Sequence, residues 1–248
     1  MTIMIAGDKG GTGKSPLSYI IATYFGYDIF TNEATVNEQY YDKVKKFIPE
    51  HRVIDIDGKK KKVKIPEDMP ISKNTVYDFA GEINAVTIEI AREADVIIVP
   101  TTDETDSVVK SANAMLHFAR VATKKDCSFI LVATRIAESK SKKEIGYIQR
   151  AFESTVVKRI SRFEKEAAES KVSDESIEKL KNLKMKFFKI RENKMFRYLR
   201  DNRMSFRDLE MMPKLQLSVW ENTITETKKV IEFIEDKKQK MEVNNGNV

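Results

Sequence analysis

Short apolar runs alternate with longer segments of helical spacing through most of this chain of 248 residues. "TIMIA", residues 2–6, is too short for a helix and predicts a buried strand. "PLSYIIATYFG" follows with Leu17, Ile20, Ile21 and Tyr24 at helical spacing and Gly26 as its C-cap. "NTVYDFAG" predicts a strand ending in a turn, and "INAVTIEIAREA" a helix. "DVIIVPTT" is a strand, "DSVVKSANAMLHFARVATKK" a helix, and "SFILVATRI" another strand. "FFKI" returns as a strand, "MFRYLRDN" as a helix, and "LSVWENTITETKKVIEFIEDKKQ" as a last helix. Continuous apolar strands between amphipathic helices predict an α/β fold of three layers, a mostly parallel sheet with helices on both faces. Ligands in such sheets bind at the carboxyl ends of the strands, where strand one, Asp78 and Thr101 all stop.

Two segments depart from that alternation. "VIDIDGKKKKVKI", within residues 52–74, predicts a hairpin turning at Asp57-Gly58. Residues 138–185 are charged and helical throughout, and predict an inserted helical pair broken near Ser173-Asp174. That pair either covers the sheet or projects toward a partner. Residues 241–248, "MEVNNGNV", predict a frayed tail. The whole length, 1–248, suits one domain with a large core.

Composition narrows the setting. With 33% charged and 41% hydrophobic residues and no apolar span of 18, the expectation is a soluble cytoplasmic protein. The one cysteine, Cys127, lies in an apolar run and reads as core. Residues 1–137 carry 18 Lys/Arg against 19 Asp/Glu, while 138–248 carry 26 against 19, so the basic excess is C-terminal. Arg191, Lys194, Arg197, Arg200, Arg203 and Arg207 form its densest run, several at three- or four-residue spacing. They suit contact with DNA phosphates regardless of base sequence. The alternative is pairing with Glu192, Asp201, Asp208 and Glu210, which leaves little net field.

The chemistry concentrates between the first strand and the first helix, in "AGDKGGTGKSPLS". Gly10, Gly11 and Gly13 let the backbone curl and aim several N–H groups at one point. The next helix adds its unpaired N–H groups and the positive end of its dipole, a combination that binds phosphate. Lys14 reaches the β/γ-phosphates and the Ser15 hydroxyl ligates Mg²⁺. Thr12 completes the loop, and Pro16 falls in the first helical turn, where its missing N–H is not needed. In "YDFAG", Asp78 stands at a strand end where it can hold Mg²⁺ through water, and Gly81 can bring its N–H to a γ-phosphate.

"KGGTGKS" resembles the deviant Walker A box of the ParA/MinD-type ATPases, a branch of the P-loop NTPases. "YDFAG" and "ADVIIVPTTDETDS" are similar to that family's later nucleotide-sensing strands and loops, and "KIRENKMFRYLRDNRMSFRDL" to the stretch before its adenine-side loop. The resemblance implies ATP and Mg²⁺ as cofactors and a homodimer closed over two nucleotides. It also implies a trans role for Lys9, which reaches the phosphates held by the partner. A partner protein that stimulates hydrolysis, non-specific DNA binding and the positioning of plasmid or chromosome cargo belong to the same picture. One cysteine argues against the iron–sulfur relatives of the class.

Two departures stand out. Asn32 occupies the place of the Asp that positions the attacking water, so slow hydrolysis, or none, follows. Thr134-Arg135 replaces the base-reading Asn after "FILVA", which leaves adenine against guanine open. Arg135 either stacks on a base or is surface. Three other readings stay open: a metabolic ligase or kinase of the dethiobiotin synthetase kind, a membrane-positioning relative, and a conjugation accessory ATPase. The membrane reading needs a cationic amphipathic tail. Val230, Ile231, Phe233 and Ile234 do form an apolar stripe, but Glu232, Glu235 and Asp236 interrupt it, so packing on the sheet is favoured and a membrane partner is not expected.

Overall fold

The computed structural model describes residues 1–7, 10–31, 40–46, 53–56, 60–63, 73–79, 85–137, 142–170, 175–191 and 194–246. Seven strands form one sheet in which every neighbouring pair is parallel. The spatial order is β3 (Val44–Lys46), β2 (Asp28–Thr31), β6 (Thr75–Asp78), β1 (Thr2–Ile5), β7 (Val96–Thr101), β8 (Ser128–Ile136) and β9 (Met185–Arg191). A separate hairpin, β4 (Val53–Ile56) against β5 (Lys60–Val63), pairs antiparallel with Val53 opposite Val63. Its expected Asp57-Gly58 turn lies outside the described residues.

The near-continuous apolar strands are explained by burial on both faces. Met4 of β1, Ile97 and Val99 of β7, and Phe129 and Leu131 of β8 enter one core with helices α2 (Ala85–Glu93) and α3 (Thr105–Val121). Their neighbours Ile3, Ile5, Val96, Ile98, Ile130 and Val132 enter the opposite core, with α1 (Lys14–Phe25) and α8 (Glu221–Gly246). The period of two thus splits each strand between two helical layers. Each fully buried Ile or Leu contributes about 1.5–3 kcal/mol to holding the layers together.

α1 is apolar nearly all round, because it is buried on two sides. Leu17 and Ile21 face the sheet. Tyr19 and Ile20 face a third cluster with Leu199 of α6 (Met195–Asp201), Phe206 and Leu209 of the 3-10 turn Phe206–Met211, and Trp220. Gly26 ends α1 at φ 70°, a left-handed C-cap that glycine adopts without strain.

The 138–185 segment connects two strands of the sheet. Its helices α4 (Lys142–Ser170) and α5 (Glu175–Lys181) are the crossover between β8 and β9, which are parallel neighbours and need one. Ile145, Ile148, Phe152 and Val156 line one stripe of α4 and are buried in the core that contains α3. The Ser173-Asp174 break lies outside the described residues.

One boundary near the C-terminus differs. The single last helix is split: α7 (Lys214–Ser218) stops before Trp220, which is buried and packs its ring 4.9 Å from that of Tyr198, and α8 begins at Glu221. α8 then runs on to Gly246. The Val230/Ile234 stripe of α8 is buried on the sheet, as expected.

Candidate functional site

The carboxyl ends of β1, β6, β7 and β8 converge on one loop. β1 and α1 are joined through it, and Gly11 and Gly13 have φ of 74° and 81°. An L side chain resists both angles. At Gly13 an added Cβ would also stand 3.3 Å from Thr134 Oγ1. Gly13 caps α1, and its carbonyl accepts the Leu17 N–H at 3.2 Å. The first turn of this 12-residue helix therefore opens at the loop, with the Lys14 side chain buried at its start. Pro16 lies in that turn, where its geometry is free of cost.

Asp78 ends β6 in register with Ile5 of β1 and with Thr31 of β2. It is 1% exposed, and its two carboxylate oxygens are sealed from solvent. A carboxylate and a hydroxyl, Asp78 and Ser15, supply hard oxygen donors of the kind Mg²⁺ takes. Among the described residues no group of three or more His, Cys, Asp or Glu forms a metal site. Any Mg²⁺ here would therefore rely on phosphate oxygens and water besides these two, the usual arrangement for this ion.

Thr134 holds the loop in place. Its hydroxyl lies 2.5 Å from the Thr12 carbonyl oxygen and 3.1 Å from the Thr101 carbonyl oxygen, joining the loop to the ends of β7 and β8. Thr134, Thr12 and Thr101 are all buried. At the end of β7, Ser107 Oγ accepts the Thr102 N–H at 3.0 Å, and Ser111 donates to the Pro100 carbonyl at 3.1 Å. In the sequence the only hint of this role is a hydroxyl near the end of a largely apolar strand, since the contact itself depends on strand register.

Beside the loop opens a cavity of about 570 Å³ lined by Gly13, Pro16, Tyr19, Phe196 and five cations: Arg135, Arg191, Lys194, Arg197 and Arg200. Four of these are residues the sequence grouped as a DNA-contacting run. Arg191 is tethered: Glu226 of α8, 6% exposed, accepts its N–H at 2.8 Å and pairs with its guanidinium at 3.2 Å and with Lys189 at 3.1 Å. Arg200 pairs with Asp201 at 3.2 Å and lies 4.9 Å from the ring of Tyr40. Arg203 lines a second cavity of about 600 Å³ with Thr23, Tyr40, Tyr41, Asp42, Ser205 and Asp208. Arg207 stacks over Tyr24 at 4.4 Å. The six cations therefore do not share one outward face. Asp208 is occupied in a capping box with Ser205, accepting its N–H at 2.6 Å.

The second cavity is polar, but it does not adjoin the glycine loop. Thr23 is nine residues beyond Lys14, roughly 13 Å along the helix at 1.5 Å per residue. Tyr19 is structural: its hydroxyl donates to the Met204 carbonyl at 3.1 Å, and burial raises its pKa. Burial likewise pushes the Cys127 thiol up to about 12, so it is inert. Lys9, Asn32 and Gly81 lie outside the described residues.

No family profile and no curated protein matches the chain. Among solved structures, apo McdA from Cyanothece superposes with a TM-score of 0.51 at 13% identity, over 92% of this chain and 98% of that one. An ATP complex of a McdA variant from Cyanothece gives 0.48 at 12% identity, over 84% and 89%. The MinC:MinD cell division complex of Aquifex aeolicus gives 0.46 at 14%, over 93% and 95%. The all-parallel sheet, the glycine loop between its central strand and first helix, and the likeness to McdA over nearly the whole length identify the fold as that of the three-layer P-loop NTPases, the fold on which ParA/MinD-type ATPases are built.

Proposed function

We propose that this chain is a ParA/MinD-type ATPase that binds ATP with Mg²⁺ and closes into a homodimer over two nucleotides. The observation that carries this reading is the glycine loop, with buried Lys14 at the start of α1 and Asp78 at the adjoining strand end. Lys14 and the N–H groups of the loop neutralise the triphosphate, with Gly10, Gly11, Thr12 and Gly13 wrapping it. Ser15 and Asp78 hold Mg²⁺ against it, and Gly81 meets the γ-phosphate. Lys9 crosses to the partner's nucleotide. Two ATP molecules bring several negative charges together, so closure needs cations from both subunits. Asn32, which cannot accept a proton as Asp does, keeps hydrolysis slow until a partner protein stimulates it.

The dimer's cargo-positioning role rests on DNA. The basic excess of residues 138–248 supports it, with exposed Arg197, Arg203 and Arg207 nearest to solvent. Arg191 and Arg200 contribute less, because each already pairs with a carboxylate. The apolar stripe of α8 is buried, which favours this reading over membrane positioning.

The nucleotide reading is tested by calorimetric titration with ATP and Mg²⁺. Lys14→Ala should weaken binding by about 3 kcal/mol or more, roughly a hundredfold in Kd, because a phosphate in the loop loses its charge partner. Unchanged affinity would remove the assignment.

A further inference from the structure

β8 contains one residue too many for its neighbour. Ala133 pairs with Lys189 and Ile136 with Arg191, so β8 advances three residues while β9 advances two. Such a bulge re-aims the side chains it contains, and bulges gather next to functional sites. Here it contains Thr134 and Arg135. Thr134 turns into the loop and bonds Thr12. Arg135 takes φ +56°.

That angle is unusual for its setting. Three non-glycine residues among those described have positive φ. Asn74 is of a type that tolerates it, and Arg203 follows the C-terminus of α6, where left-handed caps are common. Arg135 sits inside a strand, with neither excuse. Its side chain is exposed, and Nη1 lies 3.7 Å from the point where a Cβ on Gly11 would stand. Among the described residues it has no ion-pair partner, and it lines the 570 Å³ cavity beside the loop. Strain of this kind persists where surrounding structure enforces it, often at ligand clamps.

We propose that Arg135 is a phosphate ligand supplied in cis: the β8 bulge holds its guanidinium over Gly11, against the phosphates of the nucleotide in the same subunit's loop. It rests on the nucleotide reading above and adds a cation that does not wait for the partner subunit. Gly11 lacks a side chain that would separate guanidinium from loop. A guanidinium on phosphate is indifferent to the base, so Arg135 sets affinity and not the choice between adenine and guanine.

Arg135→Gly is the informative variant, because glycine accepts φ +56° and keeps the fold while the cation is removed. The full chain is titrated by calorimetry with ATP, GTP and inorganic tripolyphosphate, each with Mg²⁺, alongside Arg135→Lys and thermal melts. Arg135→Gly should weaken each ligand that the wild type binds by the same factor, about tenfold to a hundredfold. Arg135→Lys should recover part of the loss, and the melting temperature of Arg135→Gly should equal or exceed that of wild type. A merely structural arginine would instead lower the melting temperature and leave affinity alone. Unchanged affinity, or a loss confined to one base, overturns the proposal. If the wild type binds no nucleotide, the underlying function fails too. If binding is present and sensitive to Lys14→Ala but indifferent to Arg135, only this inference falls.

Discussion

Thr134 shows what one hydroxyl does at this site. It ties the Thr12 carbonyl to the ends of two strands, in a place closed to water. Thr134→Val keeps the shape and removes the donor, so the Thr12 carbonyl loses the bond from this buried hydroxyl. The expected cost is about 1–3 kcal/mol in urea unfolding, together with weaker ATP binding because the loop is no longer held. Thr134→Ser should restore both, since it keeps the hydroxyl. At this scale the sequence was only partly legible. Glycines and lysines at fixed offsets announce a phosphate loop by themselves, because their roles are local. The roles of Thr134 and Arg135 depend on the register of β8 against β9, a non-local pairing that "SFILVATRI" does not betray. Glu226 was hidden for the same reason, since its partner Arg191 is 35 residues away.

At the scale of elements, α4 is the instructive case. Its high charge suggested something projecting, but Arg150, Glu153, Lys158 and Arg162 face solvent while Arg159 turns toward α3 and donates to Asn113 at 2.9 Å. The inner stripe of Ile145, Ile148, Phe152 and Val156 makes it a structural layer over α3. Phe152→Ala should therefore destabilise the protein by about 3–5 kcal/mol, measured by denaturant unfolding, as a buried aromatic lost from a core. A cost near zero would mean that α4 stands clear of the core. The strands were legible because both faces are buried and their apolar runs are unbroken. α4 was legible as a helix but not as a crossover, since only the pairing of β8 with β9 makes it one. The split between α7 and α8 was not legible either, because it turns on where Trp220 finds its pocket.

For the molecule as a whole, the charge balance and the cavity give the DNA claim its form. Cations that line the cavity beside the glycine loop are not all available to a duplex, so affinity in a monomer should be low. A dimer doubles the remaining exposed arginines, and binding should rise with ATP and Mg²⁺. In an anisotropy titration, affinity should fall steeply between about 50 and 200 mM salt and vary little with base sequence, as counterion release requires. Replacing Arg203 and Arg207 by Gln should weaken binding to all duplexes about equally. No binding at the lower salt with nucleotide present would leave a nucleotide-driven dimer whose partner is a protein.

The ATP-closed dimer is the centre of the account, and sedimentation velocity tests it most directly. The wild-type chain should sediment as a monomer without nucleotide and as a dimer with ATP and Mg²⁺. At ATP concentrations that saturate the wild type but lie below its weakened Kd, Lys14→Ala should stay monomeric, and Lys9→Ala should stay monomeric while still binding ATP. A single species unchanged by nucleotide, or a dimer indifferent to both lysines, would contradict the account.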